Sequence, residues 1–107
     1  MRIEPHVAVL ADDLPGIYAF IARADPSAAE RVLAAVQATF DQLEQHPECG
    51  VGYPTRHPKL RDVRMLPVHG FRNYLVFYRL TPDAVRVLYV VHGTRHLPRL
   101  FRSEPRV

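Results

Sequence analysis

The segment that decides the fold reads Val68-His69-Gly70-Phe71-Arg72-Asn73-Tyr74-Leu75-Val76-Phe77-Tyr78-Arg79, then Thr81-Pro82-Asp83, then Val85-Arg86-Val87-Leu88-Tyr89-Val90-Val91-His92-Gly93-Thr94-Arg95. Two runs rich in β-branched and aromatic residues flank a cluster of turn formers, the pattern of a β-hairpin. In the first run Phe71, Asn73, Leu75, Phe77 and Arg79 alternate with Arg72, Tyr74, Val76, Tyr78 and Leu80. In the second, Val85, Val87, Tyr89 and Val91 alternate with Arg86, Leu88, Val90 and His92. Both faces carry apolar residues, which suits strands packed on one side and partly covered on the other. A third strand is expected over Leu60 to Leu66, and Arg2 to Glu4 can add an edge.

Upstream of the strands the period changes. Ala29, Val32, Leu33, Val36, Phe40 and Leu43 recur at helical spacing, with Glu30, Arg31, Gln37, Asp41 and Gln45 on the opposite side. Asp25-Pro26 is a capping acid followed by proline at the first helical position, and His46-Pro47 stops the helix. Leu14, Ile17, Tyr18 and Ile21 make a shorter stripe, for which Glu4-Pro5 is the expected start. Pro15-Gly16 interrupts it and predicts a kink, or a helix restarting with Asp13 near its cap. The loop from Pro47 to Pro58 is expected to be irregular, and His96 to Arg102 to form a last short helix. The expected fold is α+β in two layers. Two N-terminal antiparallel helices pack on a small antiparallel sheet of three to four strands.

A chain of 107 residues with a 48% apolar share supports one domain over 1–107. The single cysteine, Cys49, makes no internal disulfide, which points to a reducing compartment and a cytoplasmic location. No apolar run is long enough to span a membrane, and the N-terminus lacks the pattern of a secretion signal.

Charge is divided along the chain. Residues 1–55 hold three arginines against eight acids, a net of −5, and residues 56–107 hold eleven cations against three acids, a net of +8. A domain with two electrical poles follows. The basic pole suits phosphates, with affinity that falls as salt rises, or an acidic protein segment that folds on binding. Arg56, Lys59, Arg61, Arg95, Arg99 and Arg102 are the candidate binding residues there. No helix-turn-helix or zinc-finger pattern accompanies them, which argues against sequence-specific DNA reading. An apolar groove between the helices and the sheet can take a partner's helix.

Several pieces, in order, carry a resemblance to a known family. They are Ala11-Asp12-Asp13-Leu14 with Ile17 and Ile21; Ala28-Ala29 and Arg31; Phe40 and Leu43 before Pro47 and Gly50; Leu60 and Arg64; Pro67-Val68; Phe71 to Arg79; and Val90-Val91-His92-Gly93-Thr94-Arg95. Together the chain resembles the RelE/ParE toxin superfamily of type II toxin-antitoxin systems, and His92-Gly93-Thr94-Arg95 looks closer to the ParE branch. Pro15-Gly16 departs from the pattern.

The resemblance implies a growth-inhibiting toxin neutralised by a cognate antitoxin in a hetero-oligomer. A ParE-type member implies DNA gyrase as the target and no enzymatic activity. A RelE-type member implies a ribosome-dependent messenger RNA endoribonuclease. In that case Arg64, Arg72, Arg79, His92 and Arg95 form the catalytic set, supplying positive charge at phosphorus and an acid or base, with Tyr78 or Tyr89 assisting. A third alternative is an inactive relative that only binds its antitoxin. No cofactor is expected. His92 and His96 are four apart, but Gly93 and the strand ending argue against a metal-binding helix. Cys49 is expected to be inert, and Asp12-Asp13 to lie on a helix surface.

Overall fold

In a computed structural model, which describes residues 1–93, 105 and 106, the second helical stripe becomes the longest helix. This helix, α2, spans Pro26–Gln45, and the Asp25 carboxylate accepts the Ala28 amide at 3.1 Å to close its first turn. Ala29, Val32, Val36, Phe40 and Leu43 are buried, as their spacing requires. The stripe has one departure: Leu33 is half-buried and Thr39 takes a core position, its hydroxyl donating to the Ala35 carbonyl at 2.8 Å.

The first helix begins later than Glu4-Pro5. Arg2–Pro5 is strand β1, and Pro5 is tolerated there because the strand lies at the sheet edge. The chain then makes a π-helical turn, Val9–Asp13, before helix α1, Leu14–Ala22. The wide turn absorbs the backbone hydrogen bond that Pro15 cannot donate, so the expected interruption appears as a change of helix type. Helices α1 and α2 pack against each other through the short Arg23–Asp25 connection.

Five strands form one sheet among the described residues, in the order β1-β5-β4-β3-β2. Strand β2 is Val51–Gly52, β3 is Arg64–Val68, β4 is Phe71–Leu80 and β5 is Ala84–His92. The expected antiparallel sheet of three to four strands is corrected in two ways. The loop after α2 supplies the two-residue β2, too short to register as a periodicity. In addition β1 runs parallel to β5, with Ile3 opposite Val85, so the sheet is mixed. A parallel neighbour needs a long crossover, and everything from His6 to Asp83 serves as one. The third strand also shifts: Pro58–Leu60 is a 3₁₀ turn, and pairing starts at Arg64.

The two hairpin turns follow local chemistry. At Thr81–Asp83 the Thr81 hydroxyl accepts the Ala84 amide at 3.0 Å and donates to the Ala84 carbonyl at 3.1 Å. Between β3 and β4, Gly70 adopts φ +77°, so it belongs to the turn and not to the strand.

Two apolar clusters hold the sheet. On the helix side Val9, Ile17, Val32, Val36, Phe40 and Leu43 meet Tyr74, Val76, Tyr78, Val85, Val87 and Val90. On the other side Leu60 and Val63 meet Phe77, Leu88, Tyr89 and Val91, with Tyr53 packed edge-on to Phe77 at 5.1 Å. Strand β4 obeys the alternation read from its sequence from Tyr74 to Leu80, but Phe71, expected on the Leu75 and Phe77 face, packs with the helix-side cluster next to the register shift at Pro67/Val68. Strand β5 breaks its alternation. Phe77 pairs with Tyr89 but Tyr78 pairs with Val87, so Leu88 is an extra residue. The bulge moves Tyr89 and Val91 to the face opposite Val85 and Val87.

Candidate functional site

The bulge leaves backbone groups at the β5 edge, just past the end of β1. Two side chains from distant parts of the chain occupy them. The Asp13 carboxylate accepts the Val90 amide at 3.1 Å, and the Arg106 guanidinium donates to the Leu88 carbonyl at 3.0 Å. Arg106 also forks onto Asp13, with nitrogen–oxygen distances of 2.6 and 3.1 Å. Its guanidinium lies 4.6 Å from the centre of the Tyr89 ring, and its amide donates to the Tyr89 hydroxyl at 2.8 Å. The Asp13 side chain is only 10% exposed. Asp13 stands at the start of α1 yet makes no side-chain cap bond there. It is therefore a structural acid and not the surface helix residue expected. Arg106 drew no attention in the sequence, because no periodicity links positions 93 residues apart.

A second fastening holds the loop after α2. The Tyr78 hydroxyl, at the end of a buried side chain, donates to the Pro47 carbonyl at 2.9 Å and accepts the Gly50 amide at 2.8 Å. Burial pushes the Tyr78 phenol above its ordinary range, against the smaller opposing pull of the Gly50 hydrogen bond. Arg64 reaches the same loop, donating to the carbonyls of Glu48 at 3.2 Å and Gly50 at 2.9 Å. Gly50 must be glycine here, since a Cβ would sit 2.5 Å from the Tyr78 hydroxyl oxygen.

These contacts decide where the expected site residues stand. Arg64 is committed to loop carbonyls. Arg79 lies on the opposite face of the sheet, where it pairs with Asp62 at 3.1 Å and donates to the Lys59 carbonyl. His92 ends β5 on the helix side, edge-on to Tyr74 at 5.2 Å. Since Arg64 pairs with Tyr78 and His92 with Tyr74, the two stand four residues apart along β4, about 13 Å. Arg72 is exposed two residues beyond Tyr74, at the His92 end. Among the described residues, then, the structure separates His92 from Arg64 and Arg79, and no hydrogen bond or ion pair joins Arg72 to His92.

Arg56, Lys59 and Arg61 are exposed near one another in the loop before β3. Arg61 lines a small depression with Gly52, Asp62, Val63, Arg64 and Leu80. Arg95, Arg99 and Arg102, His96 and the expected last helix lie outside the described residues. The sheet face away from the helices is not an open arginine surface. That face carries the second apolar cluster, and Arg79 is tied down within it.

A large concavity among the described residues is apolar, with a volume of about 770 Å³. Ile3 and Pro5 of β1, Leu10, Leu14, Pro15 and Tyr18 of the first helical segment, and Leu33, Val36 and Phe40 of α2 form its walls. Leu10 is 57% exposed there, and Leu33, expected in the core, faces it instead. Its charged lining residues, Asp41 and Glu44, are both acidic.

The comparisons with known proteins agree with this architecture. Residues 9–97 match the family model described as the ParE toxin of the type II toxin-antitoxin system, parDE. The chain is 31% identical to the putative toxin Y4kP of Sinorhizobium fredii over 87 residues, covering 81% of this chain and 83% of that protein. It is 30% identical to the toxin RelE3 of Caulobacter vibrioides, covering 76% and 83%. A solved structure described as the chromosomal ParDE TA system from P. aeruginosa has the same fold, with a TM-score of 0.60 at 22% identity over 86% of this chain and 95% of that one. The protein is a toxin of the RelE/ParE superfamily. Within it, the chain belongs to the ParE toxin family of type II toxin-antitoxin systems.

Proposed function

We propose that this toxin arrests growth by binding DNA gyrase, without cleaving RNA, and that a cognate antitoxin neutralises it. The observation that carries the reading is the dispersal of the nuclease set. Phosphodiester cleavage needs cationic donors and an acid or base converging on one phosphate. Arg64 donates through one guanidinium nitrogen to the Glu48 and Gly50 carbonyls, and Arg79 pairs with Asp62 on the other face of the sheet. Arg56 and Arg61 are exposed and offer positive charge suited to a macromolecular partner. Arg95, Arg99 and Arg102, outside the described residues, are candidate contact residues on sequence alone. The apolar groove along α2 is the seat we assign to a helix of the antitoxin.

A second reading, a ribosome-dependent endoribonuclease, draws on exposed Arg72, two residues before the Tyr74 that pairs with His92. One preparation of the full chain separates the two. Inhibition of gyrase supercoiling, with ribosome-bound message left intact, is expected. Cleavage of that message with gyrase unaffected would replace the first reading with the second.

A further inference from the structure

We infer that the groove beside α2 selects a partner helix whose apolar stripe is flanked by lysine or arginine, opposite in sign to the partner segment that suits the arginine pole. The inference rests on the antitoxin reading above and specifies the chemistry of its helix. The groove runs along α2 from Leu33 to Glu44, a length of about 17 Å, or three helical turns. Its floor is apolar, and Leu10 leaves more than half of its surface uncovered. The rim on α2 is acidic. Glu30, Asp41 and Glu44 lie at spacings of 11 and 3 residues, on one side of the helix, and all three are exposed. Glu30 accepts the Tyr18 hydroxyl at 3.0 Å, and Asp41 accepts the Gln37 amide at 3.0 Å. Neither contact neutralises the carboxylate. At the far end the N-terminal ammonium donates to the Glu44 backbone carbonyl at 2.7 Å, leaving the two other acids of the rim uncompensated by it.

Charge complementarity chooses the occupant. A helix with acidic flanks meets like charge along the rim, and an anionic membrane surface is repelled by it. A second copy inserting its own α2 would set one acidic stripe against another. A helix of about three turns with hydrophobic residues at i, i+3 or i+4 and i+7, and basic neighbours beside α2, satisfies both floor and rim.

The test uses the full purified chain and two labelled helical peptides with the same apolar stripe, one flanked by lysines and one by glutamates. Fluorescence anisotropy is expected to show the lysine peptide binding roughly tenfold tighter, from a few exposed ion pairs gained against repulsions avoided. The preference shrinks as salt is raised. The double variant Asp41→Lys, Glu44→Lys reverses it. Both changes fall in the C-terminal half of α2, where lysine complements the helix dipole, so the fold is retained and a thermal melt verifies it. Equal binding, a glutamate preference, no binding by either peptide, or a preference untouched by the double variant overturns the inference. So does a dimer in sedimentation that Leu33→Asp converts to monomer, since the groove would then be covered by a second copy. The antitoxin reading fails separately: expression of the unaltered chain would leave growth normal, or no co-expressed partner would restore it. An antitoxin that still neutralises the charge-reversed toxin with undiminished affinity would sink the groove inference alone.

Discussion

The groove along α2 and the arginine-rich end of the sheet look symmetrical in the sequence, one acidic and one basic, yet they use their charge differently. Asp41 and Glu44 line an open concavity, and neither carboxylate forms an ion pair among the described residues, although the N-terminal ammonium rests on the Glu44 backbone carbonyl. Of the cations in the second half, Arg64, Arg79 and Arg106 are bound inside the molecule, to carbonyls or to Asp62 and Asp13. Arg86 leans toward Glu4 at 3.9 Å. The formal charge of a segment therefore overstates the charge it offers a partner. A guanidinium has five donors, and a small domain with few buried acids uses them to satisfy loop carbonyls that helices and strands leave open.

The sharpest way to break the comparison is at the inward-turned arginines. Asp13→Ala strips Arg106 of its counter-ion and the Val90 amide of its acceptor in a site that is mostly buried. We expect a loss of about 2–4 kcal/mol, seen as a fall in Tm on the order of 10–20 °C. A cycle with Arg106→Ala should give a coupling energy of about 1–3 kcal/mol. Additive effects would mean that the pair is not a unit. Gly50→Ala comes next, at about 1–3 kcal/mol in urea unfolding, because the added methyl meets both the Tyr78 ring and the Met65 carbonyl. Wild-type stability in this variant would show that the loop can withdraw from Tyr78 without cost.

Much of the architecture is legible before any coordinates. Residues Ala29 to Leu43 and Phe71 to Leu80 repeat at helical and strand periods, and Asp25-Pro26 and Thr81-Asp83 mark where elements turn. The misreadings share a physical cause. A bulge at Leu88 is a pairing property of two strands, invisible in the alternation of one. The parallel partnership of Ile3 with Val85, and the meeting of Asp13 with Arg106, join the two ends of the chain. Side chains such as Arg64 were legible as cations, but their use as loop fasteners depends on which carbonyls the fold leaves facing them. Charge polarity could be counted from the sequence, whereas its availability could not.

That difference can be sharpened with a pair of arginine variants of smaller effect. Arg79→Ala should cost about 1–2 kcal/mol of stability, since its side chain is 16% exposed and holds both Asp62 and the Lys59 carbonyl. Arg61→Ala, at an exposed position, should stay within about 0.5 kcal/mol of wild type. The order reverses for binding. If the basic patch meets an anionic partner, Arg61→Ala should weaken association and flatten its salt dependence. Equal effects of the two variants on stability would erase the distinction between spent and available charge.

The smallest expected effect is a slope. Burial raises the pKa of Tyr78 above the unfolded value of 10.0, so the folded state holds its phenolic proton more tightly than the unfolded chain does. The resulting stabilisation is complete below pH 10.0 and is lost as pH rises through the folded pKa, because the unfolded chain gives up the proton first. Unfolding free energy should therefore fall on the alkaline side, and Tyr78→Phe should fall less steeply there while being less stable near neutrality. Tyr18 is also raised, chiefly by its hydrogen bond to Glu30, and its side chain is half-buried at the groove wall. Tyr18→Phe is the control that keeps the two apart. If it flattens the alkaline limb as much as Tyr78→Phe, the slope comes from the groove, and the buried clamp on Gly50 contributes nothing to it.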